Sequence, residues 1–119
     1  MGDRANIVIE PEGEGSSIYL YSHWGGTDLP ETLRRALQRG RDRWDDKPYL
    51  TRIIFCEMVK DSGGDLNTLT GLGIDICECD NEHPLIIVNT DSQMVLIAGQ
   101  HWSFESYVNS EAPDVQKLD

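Results

Sequence analysis

The sequence predicts an α+β fold: a single antiparallel sheet, element order β-β-α-α-β-β-β-α, with the helices packed on one face. Three observations lead there. Apolar residues alternate with a period of two near the start and again after Leu72. Between those regions they recur at helical spacing from Leu29 to about Lys60. Clusters of Gly, Pro, Asp and Asn fall where the period changes. Two sheet-forming regions around a helical pair suit a layer of helices on one sheet.

Ala5 to Glu10 reads as a first strand, and Pro11 to Gly15 as a turn. In Ser17 to His23, Ile18 and Leu20 share one face while Tyr19, Tyr21 and His23 share the other, completing an antiparallel hairpin. Trp24-Gly25-Gly26 breaks the strand. Asp28, Pro30 and Glu31 then carry the spacing of a capping box with a proline just inside the helix. Leu29, Leu33, Ala36, Leu37, Gly40 and Trp44 share one apolar arc, predicting a helix of about four turns. A second helix follows Asp45-Asp46 and runs to about Lys60, with Leu50, Ile53, Ile54 and Met58 on one face. It is expected to be the most buried helix.

After the polar loop that starts at Asp61, Leu72 to Cys79 alternates as a strand and Asp80 to His83 is a turn. Pro84 to Asn89 is apolar on both faces, as a central strand would be. Gln93 to Ala98 forms the next strand. A short final helix is expected from Ser103, with Trp102 and Tyr107 placed as a hydrophobic staple. Residues from about 111 to 119 read as a frayed polar tail. The whole chain, 1–119, is expected to be one domain, since 119 residues bury about two-thirds of their surface.

Ten Lys+Arg against 21 Asp+Glu give a formal charge of −11, which opposes nonspecific attraction to nucleic acid or to an anionic membrane. Three cysteines, no secretory leader and no long apolar run point to a cytoplasmic protein with free thiols. Cys56, in an apolar helix, is expected to be buried and inert.

Met1 to Ala5, Tyr19 to Gly26, Arg43 to Asp46, Gly71 to Ile76 and Asp80 to Pro84 together resemble a family of small proteins from bacteria and their phages. That family has an M-G-x-R-A start and a Y-L-Y-x-H-W-G-G element. The resemblance spans nearly the whole chain and implies a compact cytoplasmic protein of viral or mobile-element setting. It implies no activity, cofactor or catalytic residue.

The loop His23-Trp24-Gly25-Gly26-Thr27 is the leading candidate site. Glycines admit close backbone approach, a helix N-terminus attracts an anion, and Trp24 could stack on a base. The plainer reading is a tight connection with Trp24 covering the core. Neither phosphate-loop fingerprint is met. Arg34 and Arg35 could neutralise a phosphate, but the i, i+4 pairs Glu31–Arg35 and Arg41–Asp45 equally suit a self-paired helix surface. Tyr19 and Tyr21 could be recognition anchors on an open sheet face, or could simply cover the sheet. Cys77, Cys79 and His83 lack the second ligand pair of a zinc site, so no metal or other cofactor is expected. No nucleophile elbow or H-E-x-x-H is present.

Two functions remain. One is a phage-type interaction protein whose acidic surface engages a basic site on a host protein, for example as an inhibitor of a CRISPR-type or other defence complex. The other is a protein that binds or sequesters a nucleotide or other phosphorylated small molecule at Gly25-Gly26.

Overall fold

The computed structural model describes residues 2–11, 13–63 and 71–110. Among them, strands β1 (Ala5–Glu10), β2 (Ile18–Ser22), β3 (Leu72–Asp75), β4 (Ile86–Asn89), β5 (Met94–Ile97) and β6 (Gln100–Ser103) form one sheet in the order β3-β2-β1-β4-β5-β6. Helices α1 (Leu29–Arg39), α2 (Lys47–Asp61) and α3 (Phe104–Val108) complete the α+β fold. Ala5, Ile7 and Ile9 of β1, Leu20 of β2, Ile86 and Val88 of β4, and Val95 and Ile97 of β5 share one core with the buried faces of all three helices. Every neighbour in that set is a period-two strand position or a helical-arc position, so one sheet face carries the helices.

The sheet is mixed, not antiparallel. β1 and β4 run parallel, with Ile7 beside Ile86 and Val8 beside Ile87, while the other neighbouring strands are antiparallel. The reason lies in the connections. The α1–α2 pair returns the chain to the end of the sheet where β2 finished, so β3 must run back along β2, Ser22 opposite Leu72. A tight turn at Asp80 to His83 would then have made β4 antiparallel to β3. Instead residues 76–85 carry the chain back to the end where it entered β3, past β2, to the far side of β1. β4 therefore starts where β1 starts.

Asn6 holds that return segment. It is fully buried, and it faces away from the core because its neighbours Ala5 and Ile7 face it. Its amide donates to the Cys79 carbonyl at 3.1 Å and accepts from the Cys79 N–H at 3.3 Å. A side-chain amide thus supplies the pairing a neighbouring strand would have supplied. This is why β3 stops at Asp75, short of the expected Cys79.

Other boundaries shift for identifiable reasons. Ala98 and Gly99, both at positive φ (53° and 82°), make a two-residue turn. That turn pairs β6 with β5 and adds a strand that alternation alone did not reveal. The expected capping box at Asp28 does not form, because a 3-10 turn at Gly26–Asp28 runs straight into α1. α1 ends at Gly40, where a Cβ would lie 3.0 Å from Leu50 Cδ1. Trp44 still reaches the core from beyond the helix, its Nε1 donating to the Leu37 carbonyl at 2.9 Å. α2 begins at its Asp46 cap as expected, with Asp46 Oδ1 accepting from Tyr49 N. It is not the most buried helix: it buries Leu50, Ile54, Glu57 and Met58, whereas α1 buries Leu29, Pro30, Thr32, Leu33, Ala36 and Leu37. Cys56 lies on its exposed side, so its expected burial is corrected. Ser103 caps α3 by accepting from Ser106 N, and the Trp102 and Tyr107 rings meet edge-to-face at 5.6 Å. The tail from 111 to 119 lies outside the described residues.

Candidate functional site

Four of the segments singled out in the sequence meet at one end of the sheet, where β1 begins and β2 ends. The N-terminal segment is the clip between them. Asp3 N donates to the His23 carbonyl and Gly26 N donates to the Asp3 carbonyl, both at 2.7 Å. Asp3 Oδ2 accepts from Thr27 N at 2.8 Å, and Asp3 Oδ1 pairs with His83 Nε2. Next to it, Arg4 pairs with Glu82 at 3.0 Å and with Asp80 at 3.3 Å, and the Arg4 carbonyl accepts from Glu82 N. On the other side, His23 N donates to the Gly71 carbonyl, extending the β2–β3 ladder by one residue.

Two glycines here have a steric reason. A Cβ on Gly26 would lie 2.6 Å from the Asp3 carbonyl oxygen and 2.9 Å from His83 Cδ2. Gly71, at φ +85°, has the Trp24 indole against it, 2.5 Å from where a Cβ would stand. Gly25 is roomier, and its N–H donates to Ser22 Oγ at 3.0 Å. The close backbone approach expected of Gly25-Gly26 is real at Gly26, but the backbone that approaches is the protein's own.

The aromatic residues divide. Tyr21 Oη and His23 Nδ1 lie 2.7 Å apart, and both side chains are half-buried, so this pair belongs to the clip. Tyr19 is half-buried on the helix-free face between Val8 and Asp75. Trp24 does not cover the core; it is 60% exposed, edge-on to the His23 ring at 4.2 Å.

A cleft of about 250 Å³ opens beside the clip, between the start of α1 and the end of α2. Ser22, Gly25, Asp28, Glu31, Arg35 and Asp61 line it. Arg35 is thereby brought to the glycine loop, but already engaged: with Glu31 at 3.6 Å, Glu57 at 3.4 Å and Asp61. Arg34 is not brought there. It makes a two-pronged pair with Glu31 at 2.8 and 2.7 Å and reaches the Val108 carbonyl of α3. The Glu57 carboxylate is 1% exposed and pairs with both Arg35 and Arg39. Arg41 pairs with Glu105 at 2.7 Å instead of the expected Asp45.

The chemistry available is limited. Asp3 and Thr27 both approach the same ring nitrogen of His83, Thr27 Oγ1 at 3.5 Å. A nucleophile relay needs hydroxyl and carboxylate on opposite nitrogens, so this trio orients a loop and does not activate Thr27. Among the described residues no cluster of His, Cys, Asp and Glu suits a metal ion. Sequence reasoning missed Asp3, Arg4, Glu57 and Glu82, whose partners lie far along the chain. Their segments were visible as motifs; their pairing was not.

Burial pulls the Asp3 carboxyl upward, yet its hydrogen bonds from His83 and Thr27 outweigh burial and hold it below the ordinary carboxylate range. Hydrogen bonds from Arg4, Arg34 and Arg41 likewise lower Glu82, Glu31 and Glu105. A lowered folded-state pKa adds stability that is complete above the ordinary carboxylate range and is lost as pH falls through the folded values. The urea midpoint is therefore expected to hold from about pH 7 to 5 and to fall below about pH 4. Asp3→Asn should lower the midpoint at neutral pH and shrink the acid loss. An unchanged wild-type midpoint from neutral pH to about pH 3 would contradict these pairings.

No helix among the described residues is long and apolar enough to cross a membrane. Comparison with known protein families, with curated sequences and with solved structures finds no match for this chain.

Proposed function

We propose that the chain is a non-catalytic interaction protein whose acidic surface docks on a basic surface of a partner protein. One observation carries this reading: most of the chain's cations are engaged by its own groups. Arg4, Arg34, Arg35, Arg39 and Arg41 each pair with carboxylates of the chain itself. Arg43 and Arg52 stack on Tyr49 at 4.5 and 4.4 Å, and Lys47 is tied to the Ser16 carbonyl. The excess of carboxylates, −11 in all, is what the surface offers. Such a field steers a basic partner in and repels polyanions. In the setting implied by the resemblance to phage proteins, the partner is a nucleic-acid-binding component of a host defence complex, met in the cytoplasm.

The charge balance favours this over a phosphorylated ligand. A phosphate at Gly25-Gly26 would have to compete with the Asp3 carboxylate for the Thr27 amide. It would also face Asp28, Glu31 and Asp61 across the cleft, with Arg35 already shared between Glu31 and Asp61. The test is native mass spectrometry of gently purified protein, followed by affinity measurement for any co-purifying protein at about 50 and 500 mM salt. A protein partner whose affinity falls at least tenfold with salt is expected. Salt-independent binding, or a stoichiometric phosphorylated small molecule on the chain, would overturn the reading.

A further inference from the structure

We infer that the outer edge of β3 is the docking strand, and that an extended cationic segment of the partner pairs with it by main-chain hydrogen bonds. This rests on the basic-partner reading above and says where and how that partner sits. β3 is the last strand on its side of the sheet among the described residues, so its outward N–H and C=O groups have no ladder neighbour there. The most exposed large apolar side chains gather along it. Ile74 is 60% exposed and Ile76 70%, and Trp24, also 60% exposed, lies on Gly71 at the strand's entry. Residues 74–78 are exposed without interruption. From Leu72 to Asp80 the sequence has no Lys, Arg or Pro, so the charges this segment offers are all negative. The opposite edge differs: β6 runs directly into α3, which packs back on it through Trp102 and Tyr107.

The charge along the edge chooses the occupant. Asp75, in the strand, and Glu78, on the segment that follows it, are both exposed beside the apolar pair. A second copy of this chain would set those carboxylates against their own kind. A partner strand alternating apolar and Lys/Arg residues satisfies both faces: apolar groups against Ile74 on one side, cations against Asp75 on the other. Backbone pairing then gives affinity, and the alternation gives selectivity.

The probe is a synthetic (Val-Lys)4 peptide, with a control whose alternate backbone nitrogens are N-methylated and a (Val-Glu)4 control. Binding is read by fluorescence anisotropy at low salt, and location by amide hydrogen exchange on the intact chain. The expected results are slowed exchange at residues 72–75, binding about tenfold weaker for the N-methylated peptide, and none for the acidic one. Ile74→Lys, at a side chain outside the core, should weaken (Val-Lys)4 by about tenfold without lowering the urea midpoint. Equal binding of both cationic peptides with no slowing at β3 would overturn the edge assignment and leave the basic-partner reading standing. No binding of (Val-Lys)4 would also overturn it, while the partner reading is judged separately by its own salt-dependence measurement.

Discussion

Replacing Arg35 and Arg39 together with methionine is expected to destabilise the fold by about 3 kcal/mol, more than removing the acid they serve. The Glu57 carboxylate is 1% exposed on the inner side of α2, and it pairs with Arg35 and Arg39 across the α1–α2 contact. Without them a buried carboxylate is left with no partner. Glu57→Leu alone leaves both guanidiniums partly in solvent, 39% and 55% exposed, where water replaces the lost partner. That variant should lose no more than about 1 kcal/mol. The triple variant, with Glu57 and its two arginines all made apolar, should recover most of what the double variant lost. Urea denaturation of the four proteins closes the cycle. If the triple variant is as unstable as the double, the loss comes from the packing of the arginines and the pairs of Arg35 with Glu31 and Asp61, and not from the orphaned Glu57 carboxylate.

Gly26→Ala should cost about 2–3 kcal/mol, whereas Gly25→Ala should cost less than about 1 kcal/mol. The two glycines are adjacent, and neither has a positive φ, so the difference is one of space alone. At Gly26 the added methyl would meet the Asp3 carbonyl at 2.6 Å and the His83 ring at 2.9 Å, pushing the clip apart. At Gly25 it would meet only the Ser22 hydroxyl, at 3.1 Å. The accompanying signature is a changed chemical shift of the His83 ring protons in Gly26→Ala, as Asp3 withdraws. Equal losses in the two variants would mean that the clip does not organise this end of the molecule.

Much of the local structure was legible because it is periodic. The arcs of α1 and α2, the β1–β2 hairpin, and the Ser103 cap with its Trp102–Tyr107 contact follow from spacing in the chain. What escaped depends on distant partners. The parallel β1–β4 pair rests on the path of residues 76–85, and that path rests on Asn6, which reads locally as an ordinary strand residue. The failed capping box has the same origin. Asp3, far away in sequence, fixes Gly26 and Thr27 by their amides, and the 3-10 turn they begin uses the Asp28 N–H on the Gly25 carbonyl. The glycine loop was rightly singled out, but close approach by a ligand and close approach by another part of the same chain leave the same residues in the sequence.

The central place of β1 has a consequence for how the molecule is made. β1 is synthesised well before one of its two neighbours, β4, which begins at Ile86, and the Asp3–His83 pair also bridges the starts of the two strands. A nascent chain short of that point holds β1 paired on one side only, with Ile7, Val8 and Ile9 exposed along the other. The sheet is therefore completed late, by contacts of long sequence separation, and its folding is governed by loop closure more than by helix formation. In the meantime the repulsion of a strongly negative chain keeps such half-built sheets apart. The same charge that would recruit a partner also guards the molecule during its own synthesis.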